Sequence, residues 1–122
     1  MKRRVNRSER IADAIQQSLA DSLLRRMSDN RFQRVTITGV TMSKDLSYAK
    51  VFVSILADDD DIKPIVLALN NAAKLLRHYV AQDVILRITP ELKFAYDESV
   101  ARGSRISSLI NTALAQHDSS DD

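Results

Sequence analysis

A chain of 122 residues, 44% of them hydrophobic, is long enough for one domain with a real core and too short for two. The absence of cysteine excludes disulfides, thiol nucleophiles and thiolate metal sites, and no stretch approaches the roughly 20 apolar residues of a membrane span. The net charge of +2 is laid out unevenly: residues 1–34 carry nine Lys/Arg against four Asp/Glu, residues 35–96 seven of each, and residues 97–122 two against five. A basic first third suits a phosphate-rich partner, although a solvated helix face and a basic leader would give the same count. Met1 to Arg7 leads into no apolar signal core, and Glu9 and Asp13 do not suit a mitochondrial presequence. The expectation is a soluble protein of the cytoplasm.

The first element predicted is a helix from about Ser8 to Met27. Ile11, Ile15, Leu19, Leu23 and Met27 recur every fourth residue, flanked by Ala12, Ala20 and Leu24. Asn6 can cap this helix, with Glu9 in the capping-box place, and Arg25 and Arg26 complement the dipole of its last turn. Ser28-Asp29-Asn30 ends it.

Two strands follow, Val35–Met42 and Tyr48–Leu56. In the second, Ala49, Val51, Val53 and Ile55 share one face, with Tyr48, Lys50, Phe52 and Ser54 on the other. The short linker Ser43–Ser47 predicts an antiparallel hairpin. Asp58–Asp61 could be read as a divalent-cation site, but it lacks the alternating ligands and turn glycine of a calcium loop. Acids ahead of a helix, with Asp61 as its cap, are the simpler reading.

A helical region is predicted from Ile62 to about Gln82, with Pro64 in its first turn. Ile62, Val66, Leu69, Ala73, Leu76 and Val80 form its buried stripe, and Asn70, Lys74, Arg77 and His78 share the opposite face. The third strand is predicted over Val84–Tyr96: Leu86, Ile88, Leu92, Phe94 and Tyr96 point one way, and Arg87, Thr89, Glu91 and Lys93 the other. Pro90 within it argues for an edge position or a bulge. A last helix from about Ser104 to Ala115 buries Ile106, Leu109, Ile110 and Leu114. The fold class is therefore α+β, with a three-stranded sheet carrying helices on one face. It is expected to form one domain over 1–122, flexible at 1–6 and 118–122.

No catalytic set stands out. His117 lies in the tail, and His78 has no carboxylate at helical spacing. Gly39 and Gly103, the only glycines, make no phosphate loop. Asp97-Glu98 is better placed to cap the final helix than to act as a catalytic pair. The chain is read as a non-enzyme without metal or cofactor. No aromatic-rich RNA-binding strand is present either. What remains is a scatter of cations suited to phosphate contacts on folded RNA: Arg3, Arg4, Arg7, Arg31, Arg34, Lys44, Lys74, Arg77, Arg87 and Lys93.

Several segments together resemble the ribosome-binding factor A family. They are the opening helix with Arg7, Arg10 and Ile11, the run from Gly39 to Ser54 (GVTMSKDLSYAKVFVS), and the run from Leu86 to Phe94 (LRITPELKF). The likeness continues through Tyr96, Asp97, Ser99, Gly103, Arg105 and Ile106, in order and over nearly the whole chain. It implies a type II KH-like domain in which two helices meet at a kink in place of a GxxG loop. The family kink reads Ala or Ser, any residue, then Gly. Here it is Ala72-Ala73-Lys74, so the resemblance leaves the kink angle undetermined and places an extra cation there. The implied partners are the 30S ribosomal subunit and the 5′-terminal helix region of 16S rRNA. The implied work is late rRNA maturation and growth in the cold, by a monomer with no membrane or cofactor. Other readings are a KH-like module for a different RNA or a protein partner, and a small hydrolase built on Asp97 or Asp58–Asp61.

Overall fold

A computed structural model describes residues 6–99. The expected helix at 104–115, the tail at 118–122, Arg3 and Arg4 lie outside the described residues.

Helix α1 spans Arg7–Arg25. Asn6 caps it, its Oδ1 accepting from the Glu9 N–H at 2.8 Å. Ile11, Ile15, Leu19 and Leu23 are buried as the fourfold spacing requires, while Ala20 and Leu24 face solvent. Ser18 and Ser22 are also buried, and these small residues meet a later helix. Asp29 then caps a single 3-10 turn, η1, over Asn30–Arg34, which seats Phe32 in the core.

Strands β1 (Val35–Met42) and β2 (Tyr48–Ile55) form the expected antiparallel hairpin. The apolar residues of β1 change phase, Val35 and Ile37 being odd and Val40 and Met42 even. The pairing absorbs that change, since Ile37 faces Val53, Gly39 faces Phe52, and Thr38 is the extra residue of a β-bulge between them. All four apolar residues can therefore turn to the core side. Ala49, Val51, Val53 and Ile55 of β2 are buried.

The predicted single helical region is two helices, α2 (Asp59–Asn71) and α3 (Ala73–Asp83). Their start corrects two expectations. Asp58, not Asp61, occupies the cap, and Asp61 lies in the first turn with its N–H donating to the Asp58 carbonyl at 2.8 Å. Three acids within the first turn still complement the dipole. Pro64 consequently sits a turn deeper than expected. Ile65, omitted from the predicted stripe, is buried with Leu69, Leu76 and Val80, whereas Ile62, Val66 and Ala73 are half-buried.

Strand β3 occupies only Glu91–Tyr96. The expectation of a strand from Val84 fails because Pro90 supplies no N–H and restrains the residue before it. Pairing begins directly after it, with the Glu91 N–H donating to the Ser47 carbonyl at 3.0 Å. β3 runs parallel to β2, and the order β1-β2-β3 makes it an edge strand. The helices cover one face, and Leu92 and Phe94 close the core beneath them.

Candidate nucleic-acid interface

Residues 84–90 connect α3 to β3 without being strand, and they organise the cationic surface. Arg77 does not stand free on a solvent face, as its spacing suggested. It is half-buried, with its guanidinium donating to the Thr89 carbonyl at 3.2 and 2.7 Å and to the Pro90 carbonyl at 3.2 Å. A fork donor bonded to two successive carbonyls fixes the backbone that enters β3. Lys74 and His78, one helical turn apart and exposed, join Arg77, Ala81 and Thr89 around an open concavity of about 460 Å³.

The kink lies just above this concavity. Ala72 adopts φ −91°, ψ 1°, its N–H bonding back to Ala68 and Leu69, and the Leu76 N–H donating to its carbonyl at 3.0 Å. Among the described residues Leu46 alone has positive φ, so Lys74 takes an ordinary backbone conformation and the bend needs no glycine at its position. The lysine side chain is exposed beside the bend.

A second depression, of about 200 Å³, lies on the other side of the 84–90 segment. Arg7 from the start of α1 and Arg87 border it, and Ile11, Leu46, Leu86 and Ile88 supply apolar walls. Its rim includes the hairpin turn, where Leu46 sits at φ 63°. Asp45 holds that turn: its Oδ1 accepts from Ser43 Oγ at 2.8 Å, Ser47 N at 3.1 Å and Ser47 Oγ at 2.7 Å. These bonds, those from Ser47 first and Ser43 next, lower its pKa to about 2. Lys44 is exposed on the same turn.

Among the described residues the other proposed cations do not join these two depressions. Arg31 and Arg34 lie on η1, at the opposite end of the hairpin, and Arg31 is paired with Asp29 at 2.7 Å. That pair holds the Asp29 carboxyl below its ordinary value and raises the Arg31 guanidinium. Lys93 faces outward from β3, in register with Lys50 of β2, whose ammonium lies 5.2 Å from the centre of the Phe52 ring. Lys50 and His78 were absent from the predicted phosphate contacts. The outward alternation of Tyr48, Lys50 and Phe52, and the spacing of Lys74 and His78, were the signals available for them.

Arg26 serves the fold instead. It bonds both oxygens of Asp83, at 3.0 and 2.8 Å, lies 5.2 Å from the Tyr79 ring centre, and tethers α1 to α3 together with the Ser18–Asp83 bond at 2.7 Å. Asp97 accepts from Thr38 Oγ1 at 2.6 Å and from the Ser99 N–H at 3.0 Å. Among the described residues no three His, Asp or Glu side chains are grouped to hold a metal, and no helix is long and apolar enough to cross a membrane.

A model of the ribosome-binding factor A family matches residues 7–110. Ribosome-binding factor A of Coxiella burnetii is 45% identical over 113 residues, covering 93% of this chain and 94% of its own. The solution structure of a Thermotoga maritima protein described as a ribosome binding factor A superposes with a TM-score of 0.67 at 31% identity, over 78% of this chain and 91% of that one. A homology model of Thermus thermophilus ribosome binding factor A, fitted into a cryo-EM map of its 30S complex, gives a TM-score of 0.58 at 26% identity. It covers 70% of this chain and 89% of its own.

Proposed function

The chain belongs to the ribosome-binding factor A family, and on that premise we propose that it binds the immature 30S subunit through 16S rRNA and assists late maturation of that RNA. The observation that carries this reading is the family match across nearly the whole chain, joined to an α+β, KH-like fold. A relative of the same fold has been placed in a 30S complex. The local chemistry supports it. Lys74, Arg77 and His78 gather beside the α2–α3 bend, where a KH-like domain meets RNA, and Lys74 adds a charge at the place of the family's glycine. Cations on both sides of a backbone segment held by Arg77 suit phosphate contacts to a folded RNA rather than base reading.

The 5′-terminal helix region of 16S rRNA is the proposed contact within the particle. The remaining cations, Arg3, Arg4, Arg31, Arg34, Lys44 and Lys93, are proposed as auxiliary phosphate contacts. The protein acts by binding, as a cytoplasmic monomer, and not by catalysis. Sedimentation with isolated 30S, 50S and 70S particles tests the reading. Selective association with free 30S subunits is the expected result; equal association with 50S particles, or none with 30S, overturns it.

A further inference from the structure

We infer that the depression between the start of α1, the hairpin turn and residues 86–88 receives one unstacked RNA base, with Arg7 and Arg87 holding the phosphates beside it. The inference rests on the RNA-binding reading above but concerns a different surface from the concavity at the α2–α3 bend.

Three features of the depression point to a base. Its walls are apolar, and one of them, Ile88, is 68% exposed, so apolar surface there is open to a ligand. Its volume of about 200 Å³ is below the roughly 300–1,000 Å³ of pockets for drug-sized molecules, which suits a single ring system. Its rim carries two cations. The one acid there, Asp45, is ionised and directs an oxygen into three hydrogen bonds of the turn, so the rim carries two guanidiniums against one carboxylate and is net positive. Apolar walls with cations at the mouth match a nucleotide, whose ring is apolar on its faces and whose backbone is anionic.

The turn also places Leu46 in the left-handed region, which a leucine adopts only when its surroundings impose it. The Leu46 N–H donates to the Ser43 carbonyl at 3.0 Å, and the Ser43 N–H to the Tyr48 carbonyl at 2.9 Å. With the Asp45 bonds, this clamps Leu46, so one wall of the depression is held before any ligand arrives. A wall held in advance spares the ordering cost that a mobile loop would incur on binding. Ile85, fully exposed three residues before Ile88, extends the apolar ridge along the same segment.

The full chain, labelled at its methyl groups, is titrated with single-stranded hexaadenylate and hexauridylate, and with inorganic polyphosphate of matching length as a base-free control. A base seated in the depression moves the methyl signals of Ile11, Leu46 and Ile88 by its ring current, and polyphosphate leaves them in place. Ile88→Ala then weakens oligonucleotide binding about fivefold with an unchanged salt slope, because it removes apolar contact area with the base and no charge. Arg87→Ala lowers that slope by about 0.7, one phosphate contact on a single strand. Both side chains are exposed, so neither substitution threatens the core. Still methyl signals at saturating RNA, or equal movement with polyphosphate, overturn the assignment. Sedimentation of the same proteins with 30S particles separates the two readings. Moving methyls without 30S association would leave the base pocket standing and remove the ribosomal role. Variants that weaken 30S association while RNA leaves the methyls unmoved would assign the depression to a protein contact and overturn the base.

Discussion

The side-chain amide of Asn70 pairs with both outward-facing backbone groups of Phe94, its Oδ1 accepting from the N–H at 2.8 Å and its Nδ2 donating to the carbonyl at 3.0 Å. β3 is an edge strand, and this helix residue takes the place of one residue of a fourth strand. The same contact ties α2 to the strand that closes the core, since the Phe94 ring is buried beneath the helices.

Asn70→Ala should therefore lower stability by about 2 kcal/mol, because it strands a donor and an acceptor that are only partly open to water. Asn70→Asp should cost more: it keeps an acceptor for the N–H but sets a carboxylate against the Phe94 carbonyl. Urea unfolding of the three proteins measures this. Equal midpoints would show that water replaces the amide at no cost.

Acid should loosen the hairpin turn. Asp45 is held at about 2 by its bonds from Ser47 and Ser43, whereas in the unfolded chain it titrates near 4. Its contribution is thus complete at neutral pH and is lost as pH falls from about 4 toward 2. Asp83, lowered by Arg26 and then Ser18, adds a loss of the same sign below the ordinary carboxylate range. Carboxyl-detected NMR titration should place the Asp45 midpoint near 2, and Ser47→Ala should raise it more than Ser43→Ala does. A midpoint near 4 in the native protein would show that the turn does not hold the carboxylate.

Arg77 should prove a positioning residue. Arg77→Ala leaves the carbonyls of Thr89 and Pro90 without their fork donor, so stability should fall by about 1–3 kcal/mol. Arg77→Lys, which cannot span two carbonyls with a planar fork, should recover only part of the loss. Hydrogen exchange across residues 84–91 reads the local effect. Unchanged protection there would mean that Pro90 alone aligns β3.

The α1 stripe was legible from its periodicity, and the hairpin from the alternation of β2 and the short linker before it, while the resemblance supplied the bend between α2 and α3. The start of β3 was not, since apolar alternation runs without a break through Leu86 and Ile88 into Leu92. Only Pro90 marks where hydrogen bonding can begin, and alternation does not report hydrogen bonds. Arg77 misled for a related reason. Helical spacing gives the direction in which a side chain leaves its helix, but not the carbonyls of a distant segment that it reaches 12 and 13 residues later. Ile65 was missed because the stripe was drawn from Ile62 and Val66, a phase one residue away from the buried line. The phosphate candidates were legible as charges but not as a surface. That Arg7 and Arg87 share one depression is decided by tertiary structure, and that Arg31 pairs with Asp29 by the local geometry of the η1 cap.

Charge reversal at the α2–α3 bend and at η1 should separate contact from bystander. Lys74 is exposed beside the α2–α3 bend, within the concavity that also holds Arg77 and His78. Lys74→Glu changes the local charge by two units where phosphates are proposed to lie, and its exposure keeps the stability change within about 0.5 kcal/mol. Binding to 30S subunits should fall at least tenfold at moderate salt, and the slope of log K against log salt should drop by about 0.9 as one phosphate contact is lost. Arg31→Glu reverses a guanidinium that already spends three hydrogen bonds on Asp29, so it should change binding less than threefold. It removes a partly compensated charge on η1, at the end of the hairpin away from its turn. Thermal melting of both variants controls for folding, and sedimentation with 30S subunits at several salt concentrations reads the binding. If Arg31→Glu proved the more damaging of the two while both stayed folded, the rRNA would have to approach η1, and the concavity at the bend would lose its claim as the principal contact.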